Sequence, residues 1–148
     1  LLGLAHTLPG VNMYTHGTLI TAMHGHLAFW GAYASLVLAM ISYAMPQMTG
    51  RKIYDNKKGH LAFWLSNIGM ICMTAAFAAA GVAQVYLERI AGYEFMAVAD
   101  EIEPHFFVLI LAATLFTIGI IYFIINFLAF GRPSDEALRE DEFEAINS

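Results

Sequence analysis

The sequence predicts an all-α, polytopic transmembrane helical bundle with three spanning helices, and three observations carry that prediction. Hydrophobic residues make up 59% of the 148 positions and charged residues only 13%, too little polar surface for a soluble domain of this length. The charges fall outside three long apolar runs, at about 15–45, 61–87 and 105–130, each long enough to cross a hydrocarbon core of roughly 30 Å. Finally, His24 and His26 lie inside the first run with only Gly25 between them. Ionisable side chains within a membrane helix are functional candidates by default.

Taken in order, Leu1 to about His6 reads as the end of a preceding apolar helix. The N-terminus has no initiator Met, basic n-region or small-residue cleavage site, so it is not a signal peptide. The chain is therefore expected to be a C-terminal fragment of one membrane domain. Thr7-Leu8-Pro9-Gly10-Val11-Asn12 has loop chemistry, with a Pro-Gly turn signal. The first helix then runs to Met45, and Pro46 is expected to close it. Residues 46–59 form a polar connection with Arg51, Lys52, Lys57 and Lys58 against Asp55. The second run contains Ala75-Ala76-Phe77-Ala78-Ala79-Ala80-Gly81, small residues that permit close helix contact in membranes. A loop over 88–104 carries Glu88, Glu94, Asp100, Glu101 and Glu103 against Arg89, and Pro104 suits the first turn of the third helix. The tail, 131–148, holds Asp135, Glu136, Glu140, Asp141, Glu142 and Glu144, which predicts a solvated or frayed helix end.

Lys and Arg positions set the orientation. The basic 46–59 loop belongs in the cytoplasm with the C-terminus, and loops 7–14 and 88–104 belong on the periplasmic face. Seven basic residues in the whole chain cannot make a phosphate-tracking surface, which excludes nucleic-acid binding. The single cysteine, Cys72, lies within an apolar run and is expected to be a small buried packing residue rather than a nucleophile or half of a disulfide.

Successive helical residues turn by about 100°, so His24 and His26 point about 200° apart. Two side chains aimed away from each other grip one metal ion poorly, whereas each can serve its own acceptor. Neutral imidazole is a common iron ligand, and the spacing suggests a helix sandwiched between two haems. Interhelical hydrogen bonds, a proton path or a quinone site remain open as alternatives on geometry alone. Gly-His-Leu-Ala-Phe-Trp occurs at 25–30 and again at 59–64. His60 follows two lysines and is read as interfacial at the opening of the second helix, and His105 receives the same reading. Trp30 is expected beside the first-helix site and Trp64 as an interfacial anchor. The Met and Phe stripes of the three helices are read as core.

His6-Thr7-Leu8-Pro9-Gly10-Val11-Asn12-Met13-Tyr14-Thr15-His16-Gly17-Thr18, followed by His24-Gly25-His26-Leu27-Ala28-Phe29-Trp30-Gly31-Ala32-Tyr33, closely resembles the cytochrome b (large) subunit of bacterial nitric oxide reductase, within the haem-copper oxidase superfamily. The match extends more loosely through Ile41–Pro46 and Ala80–Val85, while the third helix and tail match only in hydropathy. The resemblance implies the last three helices of a twelve-helix subunit of the bacterial inner membrane. It makes His24 the proximal ligand of a high-spin haem b and His26 one of two axial ligands of a low-spin haem b. It places His16 near the haem propionates, with a propionate or water contact set against simple loop hydrogen bonding.

The reaction it implies is 2 NO + 2 e⁻ + 2 H⁺ giving N2O and H2O, with nitric oxide as substrate. The non-haem iron of that site is held by residues of earlier helices, so the fragment alone is expected to be inactive. The electron donor is a cytochrome c subunit or another carrier such as quinol, and the short 88–104 loop, which resembles that of the cytochrome c-dependent forms, favours cytochrome c. Two other readings stay open. One is an oxygen-reducing haem-copper oxidase, which shares the His-x-His helix and carries copper; the other is a non-enzymatic helical membrane protein using its histidines for assembly.

Overall fold

The computed structural model describes residues 2–49, 55–129, 139 and 143–147. Its elements are all helical among the described residues: α1 Leu2–Thr7, α2 Pro9–Thr15, α3 Leu19–Ala28, α4 Ser35–Thr49, α5 Asn56–Gln84 and α6 Phe95–Ala129. A π-helical turn at Phe29–Ala34 joins α3 to α4, and a second one at Val85–Ile90 ends α5. Three continuous helices are long and apolar enough to cross a membrane: Leu19–Met45, Lys57–Ile90 and Phe95–Leu128.

The boundaries depart from the expected ones for identifiable reasons. The 7–12 segment, read as a loop, contains the start of α2 with Pro9 in its first turn, where the missing N–H is no loss and the fixed φ is already helical. The turn lies later, at Gly17, whose φ is +72°. Pro46 does not close the first helix, because α4 continues to Thr49. His60 does not open the second helix. That helix starts at Asn56, capped by Asp55, whose carboxylate accepts the backbone N–H of Lys57 and Lys58 at 2.9 and 3.2 Å.

The third helix begins at Phe95, ten residues before the expected start, and carries Pro104 in its interior. Thirty-five residues span about 50 Å at 1.5 Å each, well beyond a hydrocarbon core. The acidic residues Asp100, Glu101 and Glu103 thus lie on helix rather than in a loop, and the true connection narrows to about 91–94, with Gly92 at φ +73°. Arg51, Lys52 and the tail acids Asp135, Glu136, Glu140, Asp141 and Glu142 lie outside the described residues.

Helix α5 is the shared post, packed on α6 along much of its length and on α3 near its far end. Two glycines bring α5 and α6 together. A Cβ on Gly69 would lie 2.5 Å from the backbone nitrogen of Phe116, and one on Gly119 would lie 2.5 Å from that of Ser66. Gly81 serves the other contact, since its Cβ would lie 2.6 Å from the backbone nitrogen of Ile20. The small-residue stretch 75–81 therefore ends against α3. Met23, Trp30, Met70, Met73, Phe77 and Ala112 form the buried cluster between these helices. Cys72 is not buried as expected. It is exposed on the outward side of α5, one position from the buried Met73. Trp64 is likewise exposed.

Candidate functional site

Helix α3 places His24 and His26 against different neighbours. His26 rests on Phe77 of α5, ring centroids 4.9 Å apart, whereas His24 stacks on His6 of α1, centroids 5.5 Å apart and planes 30° from parallel. The π-helical turn just after His26 re-aims the following residues. Trp30 turns into the core while Phe29 and Tyr33 stay on the surface. Trp30 meets the edge of Phe116 at 4.9 Å and donates its indole N–H to Asn67 at 3.4 Å. Single π turns of this kind recur at functional sites, and nothing in the hydropathy pattern marks this one.

His26 fits the role of a haem ligand. Its Nδ1 lies 2.8 Å from the carbonyl oxygen of Ala22. A carbonyl only accepts, so Nδ1 carries the proton and Nε2 is left with a lone pair, the tautomer an iron ligand needs. The ring lines a cavity of about 680 Å³ with walls from Gly25, Met70, Met73, Phe116 and Ile120. Those walls are apolar and span three helices, as the flat face of a macrocycle requires.

His24 is enclosed differently. Gly3 of α1 lies against the tip of its ring, so that a Cβ there would come within 3.0 Å of Nε2 and 3.2 Å of Cε1. The surroundings of Nε2 do not fit a macrocycle while α1 holds this place. His6, to which the sequence pattern gives no role, is oriented by Thr15: Thr15 donates its hydroxyl hydrogen to the Val11 carbonyl at 3.0 Å, so its oxygen accepts from His6 Nδ1 at 2.9 Å. His6 Nε2 is then a buried lone pair with no hydrogen-bond partner.

His16 caps the C-terminus of α2, its N–H donating to the Asn12 carbonyl. Its side chain is exposed, and its carbonyl accepts from Arg89 at 3.5 Å. The structure thus sets His16 beside the end of α5 and not with His24 or His26. His60 is exposed at the opposite end of α5. His105 is half-buried, with Nδ1 3.3 Å from the Ile102 carbonyl. No group of three or more His, Cys, Asp or Glu that could hold a metal ion occurs among the described residues.

Comparison with known proteins finds both a matching family and a similar individual protein. The family model described as "Cytochrome C and Quinol oxidase polypeptide I" covers residues 1–115. The chain is also similar to a nitric oxide reductase subunit of Stutzerimonas stutzeri, 43% identical over 138 residues, which is 88% of this chain and 29% of the relative. The chain therefore spans less than a third of that relative's length. With three helices long and apolar enough to cross a bilayer, it is part of a multi-pass membrane protein.

Proposed function

The chain belongs to the Cytochrome C and Quinol oxidase polypeptide I family of haem-copper oxidases, and from that membership we propose that it is the haem-ligating portion of a respiratory nitric oxide reductase. The whole enzyme would carry out 2 NO + 2 e⁻ + 2 H⁺ giving N2O and H2O. Likeness at 43% identity to a subunit of a nitric oxide reductase supports that reaction over oxygen reduction. In this reading His26 supplies one axial ligand to a low-spin haem b and His24 the proximal ligand of a high-spin haem b. A non-haem iron is held by residues outside this chain. When bound, the haems supply electron transfer and the reducing site.

One observation carries the reading: two imidazoles, two residues apart, face different neighbours across a single helix, and His26 holds its ligating tautomer beside an apolar cavity. The contribution of this chain is positional. The Ala22 carbonyl fixes the His26 ring by accepting the hydrogen bond from Nδ1–H, and Met70, Met73 and Phe116 line the apolar cavity beside it. For His24 the assignment requires α1 to stand off the ring tip, since Gly3 lies against it. His16, at the end of α2 beside Arg89, would reach a propionate directly or through water.

Spectroscopy of the full-length subunit tests the assignment. His26→Ala should remove the low-spin haem signal, whereas His24→Ala should abolish turnover while that signal persists. If His26→Ala leaves the low-spin spectrum unchanged, the histidines serve assembly and the enzymatic reading fails. An oxygen-reducing oxidase would show itself by copper in the purified holoenzyme, where a nitric oxide reductase holds iron without copper. Residence in the bacterial inner membrane and delivery of electrons by a cytochrome c subunit are part of the same proposal.

A further inference from the structure

We infer that Gln84 is a positioning residue that caps helix α3 from a neighbouring helix and thereby sets where His24 and His26 stand. A helix leaves its first N–H groups without intrahelical partners, and a Ser, Thr, Asp or Asn at the N-cap usually accepts one of them. Here the residue at the N-cap is Thr18, and its side chain makes no capping bond. Its hydroxyl turns back to the Thr15 carbonyl at 2.7 Å. The N–H of Leu19 is accepted instead by Gln84 Oε1 at 2.9 Å, across 65 residues of sequence.

The amide of Gln84 has only one orientation open to it. A backbone N–H can only donate, so the atom facing Leu19 is the oxygen. The Gln84 NH2 then donates to Glu88 Oε1 at 2.9 Å. Gln84 is 5% exposed, and an unpaired amide there would carry the full desolvation penalty. One turn earlier on the same face, Gly81 brings the α5 backbone against Ile20. Close backbone contact sets the separation of α3 and α5, and the amide sets their register along the axis. His24 lies five residues beyond Leu19, and His26 seven.

The role in ligand placement rests on the proposed haem-binding function; the cap itself does not. In the full-length holoenzyme, Gln84→Leu removes both bonds. It should raise hydrogen exchange at Leu19 at least tenfold and shift the low-spin haem spectrum and midpoint potential. The double variant Gln84→Glu/Glu88→Gln keeps both bonds with the second reversed, because Gln at 88 then donates to Glu at 84. It should restore exchange protection, spectrum and potential. Should Gln84→Leu fail to accumulate, Gln84→Met, which keeps the side-chain length but offers the Leu19 N–H only a weak thioether acceptor, provides the same comparison.

Faster exchange at Leu19 with an unaltered haem spectrum and potential would overturn the positioning role. Unchanged exchange would overturn the cap. If the wild-type subunit shows no low-spin haem at all, the function proposed above fails, while exchange at Leu19 still decides the cap.

Discussion

At the scale of single residues, the candidate ligands were legible in the sequence and their orienting partners were not. A pair of histidines in an uncharged run is conspicuous, and helical geometry alone separates their directions. His6 and Gln84 carry no such mark. His6 gains its place from a stack with His24 and a bond to Thr15, and Gln84 from a partner 65 residues away, contacts that only the folded chain creates. Asp55 lies between these cases, a residue type that favours helix caps at a place where a cap is needed. Its carboxyl is held below the ordinary value of 3.8, first by the backbone N–H of Lys58 and then by the Lys58 side chain and the Lys57 N–H. Desolvation acts in the opposite direction. The ion pair with Lys58, at 3.4 Å and exposed on both sides, adds little. Because the folded group holds its proton less tightly than the unfolded one, its contribution is present above the unfolded value and disappears as pH falls through the folded value. Exchange protection of the Lys57 and Lys58 amides should therefore drop in acid. Asp55→Asn, which keeps an acceptor, should flatten that dependence, and Asp55→Ala should lose protection at every pH.

At the scale of elements, the three apolar runs are read directly from the sequence, whereas their ends are not. Hydropathy reports where charge stops, but helices are ended by backbone partners. This is why α6 continues ten residues upstream of the apolar run through Pro104 and three acids, and why Pro9 begins a helix rather than interrupting one. The π turns are invisible for the same reason, since they change residues per turn without changing composition. Packing between elements uses three close-contact glycines together with the buried Ala76 and Ala80. Gly119→Ala places a methyl group 2.5 Å from the Ser66 nitrogen. Backbone cannot yield there as a flexible side chain would. Overpacking of this kind costs about 1–3 kcal/mol, so thermal unfolding of the full-length subunit should fall by several degrees. Gly81→Ala, with its Cβ 2.6 Å from the Ile20 nitrogen, should do the same and, if His24 and His26 ligate haem as proposed, also disturb the low-spin haem spectrum. Gly25→Ala is the control: nothing lies within 4 Å of its Cβ position, and its unfolding temperature should stay at the wild-type value in the haem-free subunit.

At the scale of the whole molecule, the spanning helices form an up-down-up path, and a buried amide ties each end of α5 to a neighbour. Gln84 joins the finish of α5 to the start of α3. Asn126, 2% exposed near the finish of α6, joins it to the start of α5 through Asp55, accepting its N–H and donating to its carbonyl at 3.3 Å each. In lipid an unsatisfied backbone group costs several kcal/mol, so such ties fix helix register where apolar packing against equally apolar acyl chains cannot. The Asn126 end carries Lys57 and Lys58, and the Gln84 end carries His16, Glu88 and Arg89. That arrangement makes the orientation testable with a single pair of sites. Cysteine placed at Lys57 in a Cys72→Ser background should react with a membrane-impermeant maleimide only in inside-out vesicles, and cysteine placed at Glu94 only in right-side-out vesicles. The opposite pattern would put the 46–59 connection on the outer face and leave His16 on the cytoplasmic side, away from a periplasmic electron donor. A cytochrome c delivering electrons from outside requires the first pattern, because its path to His26 begins at the end of the bundle where Gln84 holds α3.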